Sequence, residues 1–228
     1  MIVRTSYDTL HIAVPDFAGS LTGFRQWARS DTFPNHGSIS FINGEVLVDM
    51  SPEKLHSHNK VKAEVSRVVG NLVKQFDLGE HFCDGAWVTD DDAGLSTEPD
   101  DSFVSWESFR SGRVSIVPTA DEEDGLELRG GPDWILEVVS NSSEKKDLVD
   151  LPLAYHRARV EEYWIIDARG EDLDFTIKLH GVDGFDAVKP SEEGWHLSKI
   201  FAREFQLRRN RNQMGNWQYT LNVRNVGG

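Results

Sequence analysis

The sequence predicts an α/β fold in which a central mixed β-sheet is flanked by helices. Three patterns indicate it: a hairpin around Asn43-Gly44, an amphipathic helix that ends near Phe76, and a strand–helix–strand unit over residues 134–167. Hairpin strands run antiparallel. Strands joined by a helical crossover run parallel, and the crossover is right-handed. A sheet built from both kinds of connection has to be mixed.

The first predicted elements are a short helix and the hairpin. Ser20 is a suitable N-terminal cap, because its hydroxyl can accept a hydrogen bond from a free N–H of the first helical turn. The helix after it has three large apolar residues on one face: Leu21, Phe24 and Trp27. The extended segments SISFI and EVLVDM then flank Asn43-Gly44, and both turn residues tolerate the positive φ of a type I′ turn.

A long helix should follow, with five apolar residues spaced three or four positions apart: Val61, Val65, Val68, Leu72 and Phe76. Gly79 is expected to end it. His56 and His58 at its start are too close in sequence to bind one ion from a single helical face, so surface or capping roles are expected. We interpret residues 81–90 as one strand and residues 91–98 as a polar loop.

The second half of the sequence supplies the central strands. Pro-Asp-Asp at 99–101 opens an extended segment, and residues 107–131 form a long acidic, glycine-rich excursion. The segment WILEVVS, residues 134–140, is almost wholly apolar, which is typical of a strand buried on both faces. A helix over 143–158 leads to a second buried strand, EEYWIID. The alternating segment LDFTIKL then predicts a half-buried strand, and shorter strands near 185–189 and 216–223 are expected to extend the sheet.

Length and composition predict one domain over residues 1–228, with a core at about 15–180 and C-terminal strands over 185–223. The 228 residues, 39% of them hydrophobic, suffice for one substantial core. No apolar run approaches the roughly 18 residues of a membrane span, and the N-terminus lacks a signal-peptide pattern. Cys83 is the only cysteine. We therefore expect a cytoplasmic protein that does not associate with membranes.

The net charge of −14 opposes binding to polyanions at long range. A nucleic-acid-binding protein of this charge needs its positive residues gathered locally, because affinity depends mainly on neutralising phosphates. The sequence has two such clusters: Lys145–Lys146, and Arg203 with Arg208, Arg209 and Arg211. The alternative interpretation of each cluster is an ordinary solvated surface.

Glu137 is the most unusual residue of the chain, because it lies in the middle of the apolar segment WILEVVS. A glutamate is almost never fully buried unless it is paired or binds a cation. One explanation is a salt bridge to an arginine or lysine elsewhere in the chain. The other is a second carboxylate that completes a site for a hard cation such as Mg²⁺.

Asp100 is the better candidate for this second carboxylate. Asp133 lies on the same strand face as Glu137, but four residues at ~3.3 Å each separate the two by about 13 Å. Asp100 opens a neighbouring strand, and antiparallel pairing could bring it opposite Glu137 within a few ångström. The sequence therefore predicts that Asp100 and Glu137 share a metal site.

Several motifs in this order are similar to those of the Uma-type family of bacterial restriction-endonuclease-like proteins, within the PD-(D/E)XK nuclease superfamily. They are INGEVLVDMSP, a helix that begins with His-Asn, Pro-Asp before a strand, PDWILEVVSNSS, a Lys-Lys-Asp helix that ends at Tyr155, and EEYWIID. The similarity covers about residues 15–180. It implies a restriction-endonuclease-like core and a metal-dependent endonuclease that hydrolyses DNA phosphodiester bonds, with Mg²⁺ or alternatively Mn²⁺ as the ion.

The resemblance also implies which residues form the site. Asp100 of the Pro-Asp motif and Glu137 of the Glu-Val-x-Ser strand would bind the metal. A third ligand would come from the first long helix, and Glu64 and His58 are the candidates.

The lysine that completes a PD-(D/E)XK site is displaced in this sequence. Val139 stands two residues after Glu137, and Leu151 stands four residues before Tyr155, where relatives carry the lysine. Lys145 and Lys146 lie one helical turn earlier, and Lys146 is our candidate for the catalytic ammonium. The alternatives are a degenerate nucleic-acid-binding or protein-interaction domain that retains the fold, and a hydrolase that acts on another phosphate or ester.

Four tryptophans lie in segments that we interpret as peripheral: Trp87, Trp106, Trp195 and Trp217. Aromatic residues often anchor protein interfaces, and two-fold dimers are the commonest oligomers. A homodimer is one expectation from this pattern. The other is that these tryptophans cover a single enlarged core.

Overall fold

The fold is given by a computed structural model that describes residues 2–4, 11–118 and 125–227. Within these ranges a 3-10 helix spans Asp16–Gly19, and single π-helical turns at Leu55–Asn59 and Lys146–Asp150 lead into the second and fourth α-helices. The α-helices of the described residues are Leu21–Ala28 (α1), Lys60–Phe76 (α2), Trp106–Arg110 (α3) and Leu151–Arg157 (α4).

The strands account for most of the regular structure. In chain order they are Ile2–Arg4 (β1), His11–Ala13 (β2), Ser38–Ile42 (β3), Glu45–Asp49 (β4), Gly79–Cys83 (β5), Trp87–Asp90 (β6), Leu95–Thr97 (β7), Asp101–Ser105 (β8), Ser115–Pro118 (β9), Gly125–Arg129 (β10), Trp134–Val138 (β11), Glu162–Asp167 (β12), Asp174–His180 (β13), Phe185–Ala187 (β14), His196–Ser198 (β15), Arg203–Arg211 (β16) and Trp217–Asn225 (β17).

Two six-stranded mixed sheets form the body of the fold. The first has the order β4-β3-β7-β6-β10-β9, and the second has the order β14-β13-β12-β11-β8-β5. In each sheet one neighbouring pair is parallel, β6 with β10 and β11 with β12. A three-stranded sheet, β15-β16-β17, and the pair β1-β2 are separate. The predicted mixed α/β fold is therefore confirmed.

Three apolar clusters hold these layers together. One joins α1 to the first sheet, and its largest buried side chains are Phe24 and Trp27. A second contains residues of both large sheets and of α4. The third lies between the second sheet, α2 and the three-stranded sheet. The second sheet therefore has apolar neighbours on both faces, which explains why β11 is buried along its whole length.

The local predictions for the early elements are largely confirmed. Ser20 caps α1 by accepting a hydrogen bond from Gly23 N. Asn43 and Gly44 have φ values of 53° and 87°, as a type I′ turn requires. The buried face of α2 is shifted slightly, since Val69 and Val73 are buried while Phe76 is 46% exposed. The helix is closed by the left-handed Asp77, and Gly79 instead begins β5.

Several predictions about the middle of the chain are wrong. Residues 81–90 contain the end of β5 and all of β6, and these belong to different sheets. Residues 91–98 contain β7, which lies inside the first sheet and is buried, although most of its residues are polar. The excursion over 107–131 contains most of α3 and all of β9 and β10. The acidic residues 121–124 lie outside the described part.

The predictions for the C-terminal strands are partly correct. β14 extends the second sheet as expected. β17 instead pairs along nine residues with β16, a strand that was not predicted, in the separate three-stranded sheet. β16 carries the arginine cluster, and its charged residues hide its strand character from a hydrophobicity pattern.

No helix of the described residues is both long and apolar enough to cross a membrane. The four peripheral tryptophans all have partners within the chain. Trp87 packs against Phe24 and Phe33, and the Trp106 indole donates to Asp77. Arginines stack on the other two, Trp195 and Trp217. These tryptophans therefore provide no argument for a homodimer.

Candidate functional site

A cavity of about 340 Å³ opens where strands of both large sheets end beside the start of α2 and the π-helical turn before α4. Seven carboxylates line it: Asp49, Glu53, Asp84, Glu98, Asp100, Glu137 and Asp147. His58 and Lys146 also line it. So many acidic groups in one concave site create a strongly negative field, which favours a cation.

Asp100 reaches this cavity because the strand that it opens pairs with the strand of Glu137, as the sequence predicts. β8 and β11 are antiparallel, with Leu136 opposite Asp101, so the next position along each strand brings Asp100 beside Glu137. Asp100 Oδ2 accepts a hydrogen bond of 2.7 Å from Val138 N, just beyond Glu137. The backbone of β11 thus fixes the orientation of the Asp100 carboxylate.

Glu137 lies on the face of β11 that packs toward α4 and is 2% exposed. Tyr155 of α4 donates a hydrogen bond of 2.6 Å to Glu137 Oε1. Burial raises the pKa of Glu137 well above its ordinary value, although the charge of Lys146 partly opposes this. Neighbouring Asp147 and Asp100 raise the pKa of Glu137 further. Both explanations offered for Glu137 have a counterpart in the structure. Lys146 is the cationic neighbour, and Asp100 is the second carboxylate.

Lys146, the candidate for the displaced lysine, lines the same cavity. It lies in the π-helical turn before α4, and its Nζ is 3.5 Å from Asp147 Oδ1. Burial alone would lower the pKa of Lys146, but Glu137, Asp147 and Asp100 raise it above its ordinary value. The adjacent Lys145 is different, since its side chain is 79% exposed and pairs with Asp150.

The third carboxylate candidate, Glu64, is not among the described residues that line the cavity. It faces the three-stranded sheet, where it accepts a hydrogen bond from Leu221 N and pairs with Arg67. His58 lies in the cavity instead, with its Nε2 3.5 Å from Asp100 Oδ2. It is 8% exposed, so the surface or capping role expected for it is wrong.

Glu53, His58 and Asp100 form a compact group whose potential ligand atoms all lie within 4.8 Å of one another. Lys62, one helical turn after His58, was missed in the sequence. It is 7% exposed, and its Nζ lies 2.6 Å from Glu53 and 3.4 Å from Asp100. The spacing of four between His58 and Lys62 places both on one helical face, a signal that could have identified Lys62.

Asp133 is occupied by structural contacts at the opposite end of β11. It accepts hydrogen bonds from Ser105 N and Ser108 Oγ and pairs with Arg113. The structure therefore separates Asp133 from the cavity, as predicted. Leu151 and Val139, at the two alternative lysine positions, belong to the apolar cluster beside α4.

The polar atoms of the cavity suit a bound divalent cation. Two buried atoms of the cavity have charged neighbours at long distances: His58 Nδ1 lies 3.4 Å from Glu53 Oε2, and Asp147 Oδ1 lies 3.5 Å from Lys146 Nζ. Carboxylate oxygens with one imidazole form a donor set that Mg²⁺ or Mn²⁺ accepts, with a preference for the oxygens. The charge of Asp100 raises the pKa of both Glu137 and Asp147, so a cation that neutralises these groups would relieve their repulsion.

Asp147→Asn should stabilise the metal-free protein at about pH 7.5 and have little effect at about pH 4. Burial raises the pKa of Asp147 from 3.8 to about 6. A carboxyl group whose pKa is higher in the folded state stabilises the fold while it is protonated. That contribution is lost as the pH rises from the unfolded pKa through the folded pKa. The expected difference at neutral pH is about 2–3 kcal/mol, or about 4–10 °C in Tm.

Thermal unfolding in EDTA across this pH range measures the difference between the variant and the wild type. Asp150→Asn is the matched control, because Asp150 lies in the same π-helical turn and pairs with the exposed Lys145. Its Tm should follow the wild-type curve. Parallel curves for Asp147→Asn and the wild type would contradict the raised pKa.

Comparison with known proteins agrees with this fold. The model of the Uma2 family, described as "Putative restriction endonuclease", matches residues 22–209. Among solved structures, the chain is similar to one described as "a putative nuclease belonging to DUF820" from Anabaena variabilis. The two are 18% identical, the match covers 80% of this chain and 97% of that chain, and the TM-score is 0.56. That likeness concerns the fold. No curated protein matches the chain.

Proposed function

The chain belongs to the Uma2 restriction-endonuclease family, and we propose that it hydrolyses phosphodiester bonds in DNA with the help of Mg²⁺ or Mn²⁺. The observation that carries this proposal is the cavity, in which Asp100, Glu137 and Lys146 lie together. Two carboxylates can hold a divalent ion, and a nearby ammonium can stabilise charge on the phosphate, which is the combination that a PD-(D/E)XK site uses. Asp100 lies just before β8, Glu137 within β11 and Lys146 in the π-helical turn before α4. These three side chains therefore lie close together only when the second sheet and α4 are folded.

Asp100 and Glu137 are the proposed metal ligands, and His58 replaces Glu64 as the third. A bound divalent ion supplies a Lewis acid that neutralises charge on the scissile phosphate and lowers the pKa of an attacking water. The chain's own groups prepare the ligands. Val138 N–H orients Asp100, and the Tyr155 hydroxyl orients Glu137, leaving its second oxygen available.

Lys146 is the proposed catalytic ammonium. Its charge interacts with Glu137, Asp147 and Asp100, so it is placed to stabilise the negative charge that develops on the phosphate in the transition state. The raised pKa keeps it protonated at neutral pH. Its charge also offsets part of the cost of burying Glu137, so the plasmid assay decides between an active enzyme and a degenerate domain.

Nicking of supercoiled plasmid tests the proposal. The wild type should convert supercoiled plasmid to open-circular and linear forms in Mg²⁺ or Mn²⁺, and EDTA should stop the reaction. Asp100→Ala is the control for a contaminating nuclease, and it should leave the plasmid intact. Absence of nicking by the wild type with either ion, or equal nicking by Asp100→Ala, would overturn the assignment.

A further inference from the structure

The hairpin of β16 and β17 has a charge opposite to that of the rest of the chain. Residues 203–225 contain five arginines and one glutamate, a local charge of +4 in a chain of net charge −14. Such a concentration is what an acidic protein needs in order to contact a polyanion.

The two arginines nearest the turn are held in place by an aromatic ring. One face of the hairpin enters the core through Phe205 and Leu221, and toward the turn the same face continues as Arg209, Arg211 and Trp217. The guanidinium carbons of Arg209 and Arg211 lie 4.1 and 3.4 Å from the centroid of the Trp217 ring. Stacking of this kind orders a guanidinium while its N–H edges can still bind phosphate oxygens.

The hairpin is connected to the cavity through the loop after β12. Arg209 donates hydrogen bonds to Ala168 O and Gly170 O, at 3.3 and 2.8 Å. Arg169, between them, donates to Ser140 O and pairs with Asp167 and Glu144, so it links the two regions structurally while its charge is neutralised. Ser140 lines the cavity, so only one residue separates the hairpin contacts from the cavity wall on this side.

A second connection follows the start of α2. Lys60 Nζ lies 3.5 Å from Trp217 O, and Lys60 is two residues after His58 of the cavity. A smaller cavity of about 120 Å³ beside the first is lined by Lys54, Arg169 and His58. Lys54 and Lys60 therefore place basic side chains between the acidic cavity and the hairpin.

We propose that this basic strip, formed by Lys54, Lys60, Arg209 and Arg211, is the surface on which duplex DNA docks through its phosphate backbone. This inference rests on the proposed nuclease function and names where its substrate is held. Trp217 is packed against the core and already stacks two guanidinium groups. It is not an open platform for an unpaired base, which favours a duplex over a single strand.

The binding test is independent of catalysis. Fluorescence anisotropy with a labelled 25-base-pair duplex in EDTA measures affinity over a series of salt concentrations. Each lost phosphate contact should reduce the slope of log K against log salt by about 0.9, so Arg209→Gln/Arg211→Gln should reduce it by about 1.8. The affinity of this double variant should fall about 10-fold or more uniformly across duplex sequences.

Arg110→Gln is the matched control, because Arg110 is a 69% exposed arginine on α3, at the opposite end of β8 from Asp100. It should bind like the wild type. Arg211→Gln alone guards against a folding defect, since Arg211 hydrogen-bonds only within the hairpin turn among the contacts described, to Gly215 O. Its Tm should match that of the wild type while its salt slope falls by about 0.9.

Wild-type affinity and slope in the arginine variants, or an equal loss in Arg110→Gln, would overturn the proposed surface. Failure of the wild type to bind duplex would also overturn it. The nuclease assignment is decided separately. If hairpin variants lose binding but no plasmid is ever cut, the surface stands and the nuclease fails. If cleavage occurs and hairpin variants bind normally, the nuclease assignment stands and the proposed surface fails.

Discussion

Glu137→Gln should lower metal-dependent plasmid cleavage by at least about 10²–10³-fold while the protein stays folded. Glutamine has nearly the size of glutamate, and its amide oxygen can still accept the hydrogen bond from Tyr155. The variant therefore removes the negative charge without creating a void. Asp100→Asn should act in the same way, because its amide oxygen can still accept from Val138 N.

Metal binding and stability provide readouts beyond activity. Titration with Mn²⁺ should show weaker binding by Glu137→Gln. In metal-free buffer at neutral pH the variant should melt above the wild type, because burial raises the pKa of Glu137 and makes its ionised form unfavourable. Glu144→Gln is the control, since Glu144 is 58% exposed and pairs with Arg169. A Glu137→Gln protein that cuts plasmid at the wild-type rate would remove Glu137 from the site.

Lys146→Gln should reduce cleavage by about 10²-fold or more and leave divalent-ion binding intact or slightly tighter. The ammonium acts on charge that develops in the transition state, so its loss affects the rate. In the resting site it competes with a metal for the same carboxylates, as its interactions with Glu137 and Asp147 indicate. Its removal therefore does not weaken metal binding. Single-turnover cleavage and Mn²⁺ titration measure the two effects separately.

Lys145→Gln is a closely matched control, because Lys145 is the neighbouring lysine but points to solvent and pairs with Asp150. It should cleave at nearly the wild-type rate. Equal losses in the two lysine variants would contradict a specific role for Lys146. A loss of metal binding as large as the loss of cleavage would do so too.

The sequence predicts the central carboxylates because they break a strong pattern. Glu137 interrupts an apolar strand, and Asp100 starts the strand that pairs with it. These signals depend on short, regular elements. Lys146 could be identified as a candidate from the sequence, but its location in the cavity could not be predicted. The direction of its side chain depends on the π-helical turn in which it lies. Nothing in the spacing of residues reveals such a turn.

β7 shows why other elements were missed. Its residues Leu95–Thr97 are buried, yet two of the three are hydroxyl-bearing. Ser96 and Thr97 are satisfied by hydrogen bonds of 2.8 Å to Thr89 and Ser40 on the neighbouring strands. Buried polar residues of this kind depend on partners on neighbouring strands, which a local pattern does not show. A pattern of hydrophobicity therefore identifies them as loop.

The sequence could not separate Glu64 from His58 for a related reason. Both belong to the segment around the start of α2, and carboxylates are the commoner ligands of Mg²⁺. The choice depends on which side of the helix faces the cavity. The three-stranded sheet, which the sequence did not reveal, covers the side that carries Glu64 and supplies Leu221 N as its partner.

The order of strands in the second sheet also determines when the acidic cavity can exist during folding. Its wall requires β5, β8 and β11 to lie side by side, although β8 and β11 are joined through β9 and β10 of the other sheet. Closing connections of this length carries an entropic cost and makes pairing slow relative to local helix formation. Repulsion among the carboxylates therefore arises only after the sheet has assembled, when the buried strands can oppose it. In a partly folded chain the same carboxylates are present, but they are not yet gathered into the acidic cavity.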